Sequence, residues 1–114
     1  MTMKVDKIIE ELGCEVLAKG SAEEVCDGYT SDLLSDVMGN CPEGCLWITI
    51  QRHMNVIAVA QLKRVAGIIF GNGAKPDPNV IQKAEEEGIY LLSCRENAFQ
   101  ISGKVFAILN TSQE

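Results

Sequence analysis

Apolar residues in this chain alternate between two patterns, a helical period and short unbroken runs. Val5, Ile8, Ile9 and Leu12 stand at i, i+3, i+4 and i+7, which predicts an amphipathic helix over residues 3–12. Gly13 follows where a helix closes in the left-handed conformation. A short strand is expected over 14–17, a polar connection over 20–24, and a second strand over 25–29 that ends at Thr30 and Ser31. Ser31 is placed to accept the N–H of residue 33 or 34 as the cap of a helix over 32–39. Asp32 would complement the positive end of that helix, and Leu33, Leu34, Val37 and Met38 would form its buried face. Residues 40–44 have turn composition.

Leu46 to Ile50 is a continuous apolar run, as in a parallel strand covered on both faces. From Asn55 the period turns helical through Val56, Val59, Ala60 and Leu62, so Gln51 to Asn55 is a strand-to-helix junction. Gly67 to Phe70 reads as the next strand and Gly71-Asn72-Gly73 as a loop. Asp77-Pro78 marks a helix start, with aspartate as cap and proline in the first turn. Val80, Ile81 and Ala84 point inward from that helix, and Gly88 lies just past its end. Ile89 to Leu92 is a final strand, and Ser93-Cys94-Arg95-Glu96 matches a capping box. The helix after it carries Phe99, Ile101, Val105, Phe106 and Leu109, with a bend expected near Gly103 and fraying from Asn110. This order predicts one α/β domain over residues 1–114. Its mostly parallel sheet of about five strands has helices on both faces in a three-layer sandwich, with right-handed crossovers.

Composition narrows the function. The 114 residues carry a formal net charge of −6, and the ten Lys and Arg are scattered, which argues against nucleic acid as a partner. No apolar run is long enough to span a membrane, and the first twelve residues carry acids where a signal peptide would be apolar, so a cytoplasmic protein is expected. Five cysteines, Cys14, Cys26, Cys41, Cys45 and Cys94, form an odd set that reads as reduced thiols more than a disulfide framework. Cys41 and Cys45 are separated by three residues and lack a second close pair, so they read as two small residues in a turn and no metal site is expected.

Open α/β sheets bind ligands beyond the carboxyl ends of their strands. That places Gln51, His53 and Asn55, with the loop Gly71, Asn72 and Gly73 and with Ser31, as candidate ligand-binding residues. Three side chains of mixed donors and acceptors on alternate positions suit recognition of a polar group such as a base edge or amide. No catalytic residues are assigned. The loop Gly71 to Pro76 lacks the Gly-Lys-Ser/Thr ending of a phosphate-binding loop, and Pro76 stands where a dinucleotide fingerprint has its third glycine. His53 is the only histidine and has no second ligand at metal spacing, while Ser31, Asp32, Ser35 and Asp36 read as helix-start residues.

The segments Tyr29 to Met38, Trp47 to Ala60, Lys75-Pro76-Asp77 and Glu87-Gly88-Ile89 resemble the small stand-alone DRTGG-type domains. A similar domain forms the N-terminal, non-catalytic part of the HPr serine kinase. The family's Asp-Arg pair falls on Arg52 and His53 and its Thr-Gly-Gly triplet on Gly71, Asn72 and Gly73, so only the last glycine matches. The resemblance implies the fold and a non-catalytic regulatory or sensory role, binding a small polar metabolite or nucleotide without a cofactor; a homodimer is expected because small domains commonly pair through two-fold symmetry. It does not carry over a ligand that needs the missing carboxylate and threonine. The alternative it implies is a ligand-free accessory or interaction protein, for a redox enzyme such as an iron hydrogenase.

Overall fold

A computed structural model describes residues 2–111. Five strands form the main sheet in the order β2 (Glu15–Ala18), β7 (Tyr90–Ser93), β6 (Gly67–Phe70), β5 (Cys45–Thr49), β4 (Asp27–Thr30). Strands β4 to β7 are parallel, and β2 alone runs antiparallel, at one edge. The three central strands are buried along their whole length, as their unbroken apolar runs require.

Each parallel strand lies beside the previous one in chain order, so the three right-handed crossovers all place their helices on one face. These helices are α2 (Leu34–Asn40), α3 (Asn55–Lys63) and α4 (Pro78–Glu86). They pack Val37, Val56, Ile57, Val80 and Ala84 against Trp47, Ile68, Phe70 and Leu91 of the sheet. The alternate side chains Leu46, Ile48, Ile69 and Leu92 face the second layer, α1 (Val5–Leu12) and α5 (Ala98–Thr111), through Val5, Ile8, Ile101 and Val105. The expected three-layer α/β sandwich is therefore the observed fold. No helix among the described residues is long and apolar enough to cross a membrane.

Helix α1 ends at Gly13 in the left-handed region (φ 66°), whose N–H reaches the Ile9 carbonyl. Its first expected residues, Met3–Lys4, instead form a strand, β1, which pairs antiparallel with β3 (Glu24–Val25) in a separate ribbon. This pairing divides the strand expected over 25–29, because Val25 follows Met3 while Asp27 enters the main sheet beside Cys45.

Helix α2 begins two residues later than expected. Asp32 does not enter it but accepts hydrogen bonds from Thr49 Oγ1 (2.7 Å) and the Ile50 amide (2.9 Å) across the strand ends. Ser31 Oγ does accept the Leu33 amide at 3.2 Å. Only Val37 of the expected buried face is fully enclosed, and Leu33 is 64% exposed. The final helix is capped by Asn97 and not by Ser93. Asn97 Oδ1 accepts the Gln100 amide (2.9 Å), and Gln100 Oε1 accepts the Asn97 amide (3.2 Å), a reciprocal capping box four residues downstream. Ser93 belongs to β7 and donates its hydroxyl to the Ala74 carbonyl. Asn110 and Thr111 remain helical, and the rest of the tail expected to fray lies outside the described residues.

The thiols also depart from expectation. Glu15 pairs with Ser93 in the antiparallel register of β2 and β7, so the residues just beyond, Cys14 and Cys94, stand opposite one another. They form a disulfide with a Cα–Cα distance of 4.8 Å, joining positions 80 residues apart.

Candidate functional site

Because β2 is inverted, the carboxyl edge of the sheet runs from the start of β2 through the ends of β7, β6, β5 and β4. A cleft of about 690 Å³ opens on this edge, between Cys14 and Glu15 at the start of β2, Ser93 to Glu96 after β7, and Gly73 and Lys75 after β6. Its size suits a small ligand. Lys75 Nζ pairs with Glu15 at 2.9 Å, and Lys104 pairs with Glu96, whose carboxyl is held below its ordinary range chiefly by that bond. No ion pair involving Arg95 is found among the described residues, and it is exposed at the rim.

The wall formed by the glycine loop is fixed by its own backbone. Asn72 (φ 59°) and Gly73 (φ 68°) take the left-handed conformation that glycine and asparagine tolerate. The Gly71, Asn72, Gly73 and Ala74 amides donate to the carbonyls of Thr49, Glu96, Cys94 and Gly71. These four donors are thus engaged within the protein, and the loop supplies shape to the cleft. Phosphate binding through them would require breaking these bonds.

Farther along the edge, Thr49 is the polar residue at the end of the buried β5, and its hydroxyl links Asp32 to the Gln51 amide. Gln51 Nε2 donates to the Asp32 carbonyl at 3.1 Å, which ties the ends of β4 and β5 together. Trp47, fully buried, donates its indole N–H to the Ser31 carbonyl at 2.9 Å. His53 Nδ1 accepts the amide of Asn55, the first residue of α3, at 3.2 Å. Gln51, His53 and Asn55 are exposed, and Ser31 partly so. The fold thus brings Ser31, Gln51, His53, Asn55 and residues 71–73 to one edge. Only Gly73 of these lines the large cleft.

Sequence reasoning missed Asp32 and Thr49 as the link between strand ends, and Cys14, Lys75, Cys94 and Arg95 as cleft residues. A polar Thr49 closing an apolar strand was a usable signal. The cleft residues carried none, since they meet only through the pairing of β2 with β7.

Other groups are poorly suited to nucleophilic chemistry. Cys41 and Cys45 are buried with sulfurs 2.8 Å apart, and burial pushes both thiols up, Cys45 strongly. They stay protonated, and a thiol is a much weaker nucleophile than a thiolate. Tyr29 donates to both carboxylate oxygens of Asp36 (2.9 and 2.8 Å), a bond that raises the tyrosine's pKa. Hydrogen bonds from Ser31, Tyr29 and Asn40 hold the Asp36 carboxyl below its usual range.

The family model described as DRTGG domain matches residues 7–108, most of the chain and every strand of the main sheet. The chain belongs to the DRTGG domain family. Comparison with curated proteins gives no match. Among solved structures, this DRTGG domain is similar to the CBS and DRTGG domains of the regulatory region of Clostridium perfringens pyrophosphatase, solved with its activator diadenosine tetraphosphate. The TM-score is 0.71 at 16% identity, over 90% of this chain and 45% of that one. The DRTGG domain described here therefore spans less than half of that relative, and the likeness is one of fold.

Proposed function

We propose that this DRTGG domain is a non-catalytic regulatory module that binds a small polar metabolite, foremost an adenine nucleotide, along the carboxyl edge of its sheet. The cleft at the ends of β6 and β7, with the exposed Arg95 at its rim, is the observation that carries this reading. Arg95 and Lys75 would meet phosphate groups, for which guanidinium and ammonium are suited. From β7 to β5 is two strand spacings, about 10 Å, so a nucleotide lying along the edge would bring its base toward Gln51, His53 and Asn55. Asn72 and Gly73 would form the wall between, with Gly71 behind them and Ser31 beyond. The pyrophosphatase regulatory region, solved with its nucleotide activator, supports both the ligand class and the regulatory role.

Isothermal titration of the purified domain with ATP, ADP, AMP and diadenosine tetraphosphate tests this. Saturable binding of at least one is expected, weakened about ten- to a hundredfold by Arg95→Ala, since a charge-assisted hydrogen bond contributes about 1.5–3 kcal/mol. Gln51→Ala should weaken nucleotides while leaving inorganic phosphate unaffected. Absence of heat with all four ligands would defeat the proposal.

A second reading, a ligand-free accessory protein or a homodimer acting through its surface, is favoured by one observation. Phe99 and Phe106, seven residues apart on α5, are 87% and 71% exposed. Sedimentation should then show a dimer that Phe99→Ser with Phe106→Ser converts to monomer, and a monomeric wild type would remove the homodimer.

A further inference from the structure

One wall of the cleft gathers three metal-ligating groups that nucleotide binding does not use. Cys14 Sγ, Cys94 Sγ and a carboxylate oxygen of Glu96 all lie within 4.8 Å of one another. We infer that, once reduced, Cys14 and Cys94 form with Glu96 a binding site for a thiophilic divalent cation, best matched by Zn²⁺, and that the disulfide is the oxidised, metal-free state of that site.

The chemistry favours this ion class. Thiolates select soft or borderline cations, and a carboxylate completes a mixed sulfur and oxygen set. Donors at about 2.3 Å (sulfur) and 2.0–2.2 Å (oxygen) from one ion stand within about 4 Å of each other. Rotation of the two cysteine side chains after S–S opening brings the group to that spacing without moving the backbone far. Three protein ligands leave a fourth position, which here faces the open cleft, so the site has an entry path.

The backbone that carries these groups is pinned. Cys94 donates its amide to Phe70 (2.9 Å) and accepts from Gly73 (2.7 Å), while the Glu96 carbonyl accepts from Asn72 (2.8 Å). Nearby cations do not cancel the site. Lys75 is neutralised by Glu15, and Lys104 lies against one carboxylate oxygen of Glu96, which leaves acceptor capacity on the other. Two thiolates and a carboxylate place three negative charges around the dication.

The conversion balances. A dithiol reductant gives two electrons and two protons to the Cys14–Cys94 bond and becomes a disulfide itself. The two new thiols then release their protons to water as the cation binds, forming two metal–sulfur bonds with no change in the metal's oxidation state. This inference does not depend on nucleotide binding and survives its failure.

The test uses the whole chain, reduced with a phosphine that is then removed, and Co²⁺ or Zn²⁺ alone as probe. The reduced protein should bind a single equivalent of Co²⁺ with a thiolate-to-metal charge-transfer band, and the oxidised protein none. Cys14→Ser should lose the band, whereas Cys41→Ala with Cys45→Ala should retain it. Should a variant misfold, alkylation of the reduced wild type followed by peptide mass mapping gives the same answer. Zn²⁺ should protect Cys14 and Cys94 together and leave the exposed Cys26 reactive. No stoichiometric binding by the reduced protein, a band that persists in a folded Cys14→Ser variant, or protection confined to Cys26, Cys41 and Cys45 would each overturn the inference.

Discussion

Trp47→Ala is expected to lower folding stability by about 3–5 kcal/mol, the usual cost of truncating a large buried aromatic. Trp47 is fully enclosed between the sheet and the α2–α4 layer, so alanine leaves a cavity that surrounding side chains fill only in part. It also removes the donor to the Ser31 carbonyl, the bond that anchors the end of β4 beside β5. For a domain of this size the melting temperature should fall by more than about 10 °C. Trp47→Phe keeps most of the packing and loses the hydrogen bond, so it should cost less. Urea unfolding followed by far-ultraviolet circular dichroism measures both, since Trp47 is the only tryptophan and fluorescence is lost with it. A loss below about 1 kcal/mol for alanine would mean that the ring is not at the core of the sandwich.

Opening the Cys14–Cys94 disulfide should have the second large effect. The bond joins residues 80 apart, and constraint of the unfolded chain by a loop of that length is worth at most about 4.5 kcal/mol. Observed values commonly fall near 2–4 kcal/mol. Reduction in metal-free buffer should therefore lower the urea midpoint, and Cys14→Ser with Cys94→Ser should reproduce the shift in the absence of reductant. The dependence of stability on urea should also steepen, because an uncrosslinked unfolded chain exposes more surface. Equal midpoints for the oxidised and reduced proteins would show that the bond contributes nothing to the folded state.

These two effects mark what local sequence encodes and what it does not. The strand Gly67–Phe70 coincides with its apolar run, and α1 ends on the glycine that its period demanded. The Asp77-Pro78 pair placed α4, although the aspartate side chain makes no capping bond. Such features are set within a few residues, where period and backbone preference suffice. The start of α2 was displaced because Asp32 bonds to Thr49 and Ile50 on another strand, a tertiary demand that overrides its helix-start preference. Ser93 likewise matched a capping motif but was taken by the sheet, and Asn97 performs the function instead.

The same boundary divides the candidate site. Ser31, Gln51, His53, Asn55 and the 71–73 loop were legible because each follows a strand, and parallel strands bring their ends to one edge. The cleft itself depends on β2 lying antiparallel beside β7, a contact between residues about 80 apart that no local pattern announces. Once that pairing is known, Cys14 and Cys94 become neighbours, and Arg95 and Lys75 acquire a shared environment.

The most direct measurement of the central claim is an amide correlation NMR titration of the oxidised domain with ATP, followed by diadenosine tetraphosphate. Ligand binding along the carboxyl edge predicts saturable shifts at Gly73, Arg95 and Glu96, extending to Gln51, His53 and Asn55, with α5 around Phe99 and Phe106 unaffected. Spectra that do not change, or shifts confined to the α5 surface, would contradict it.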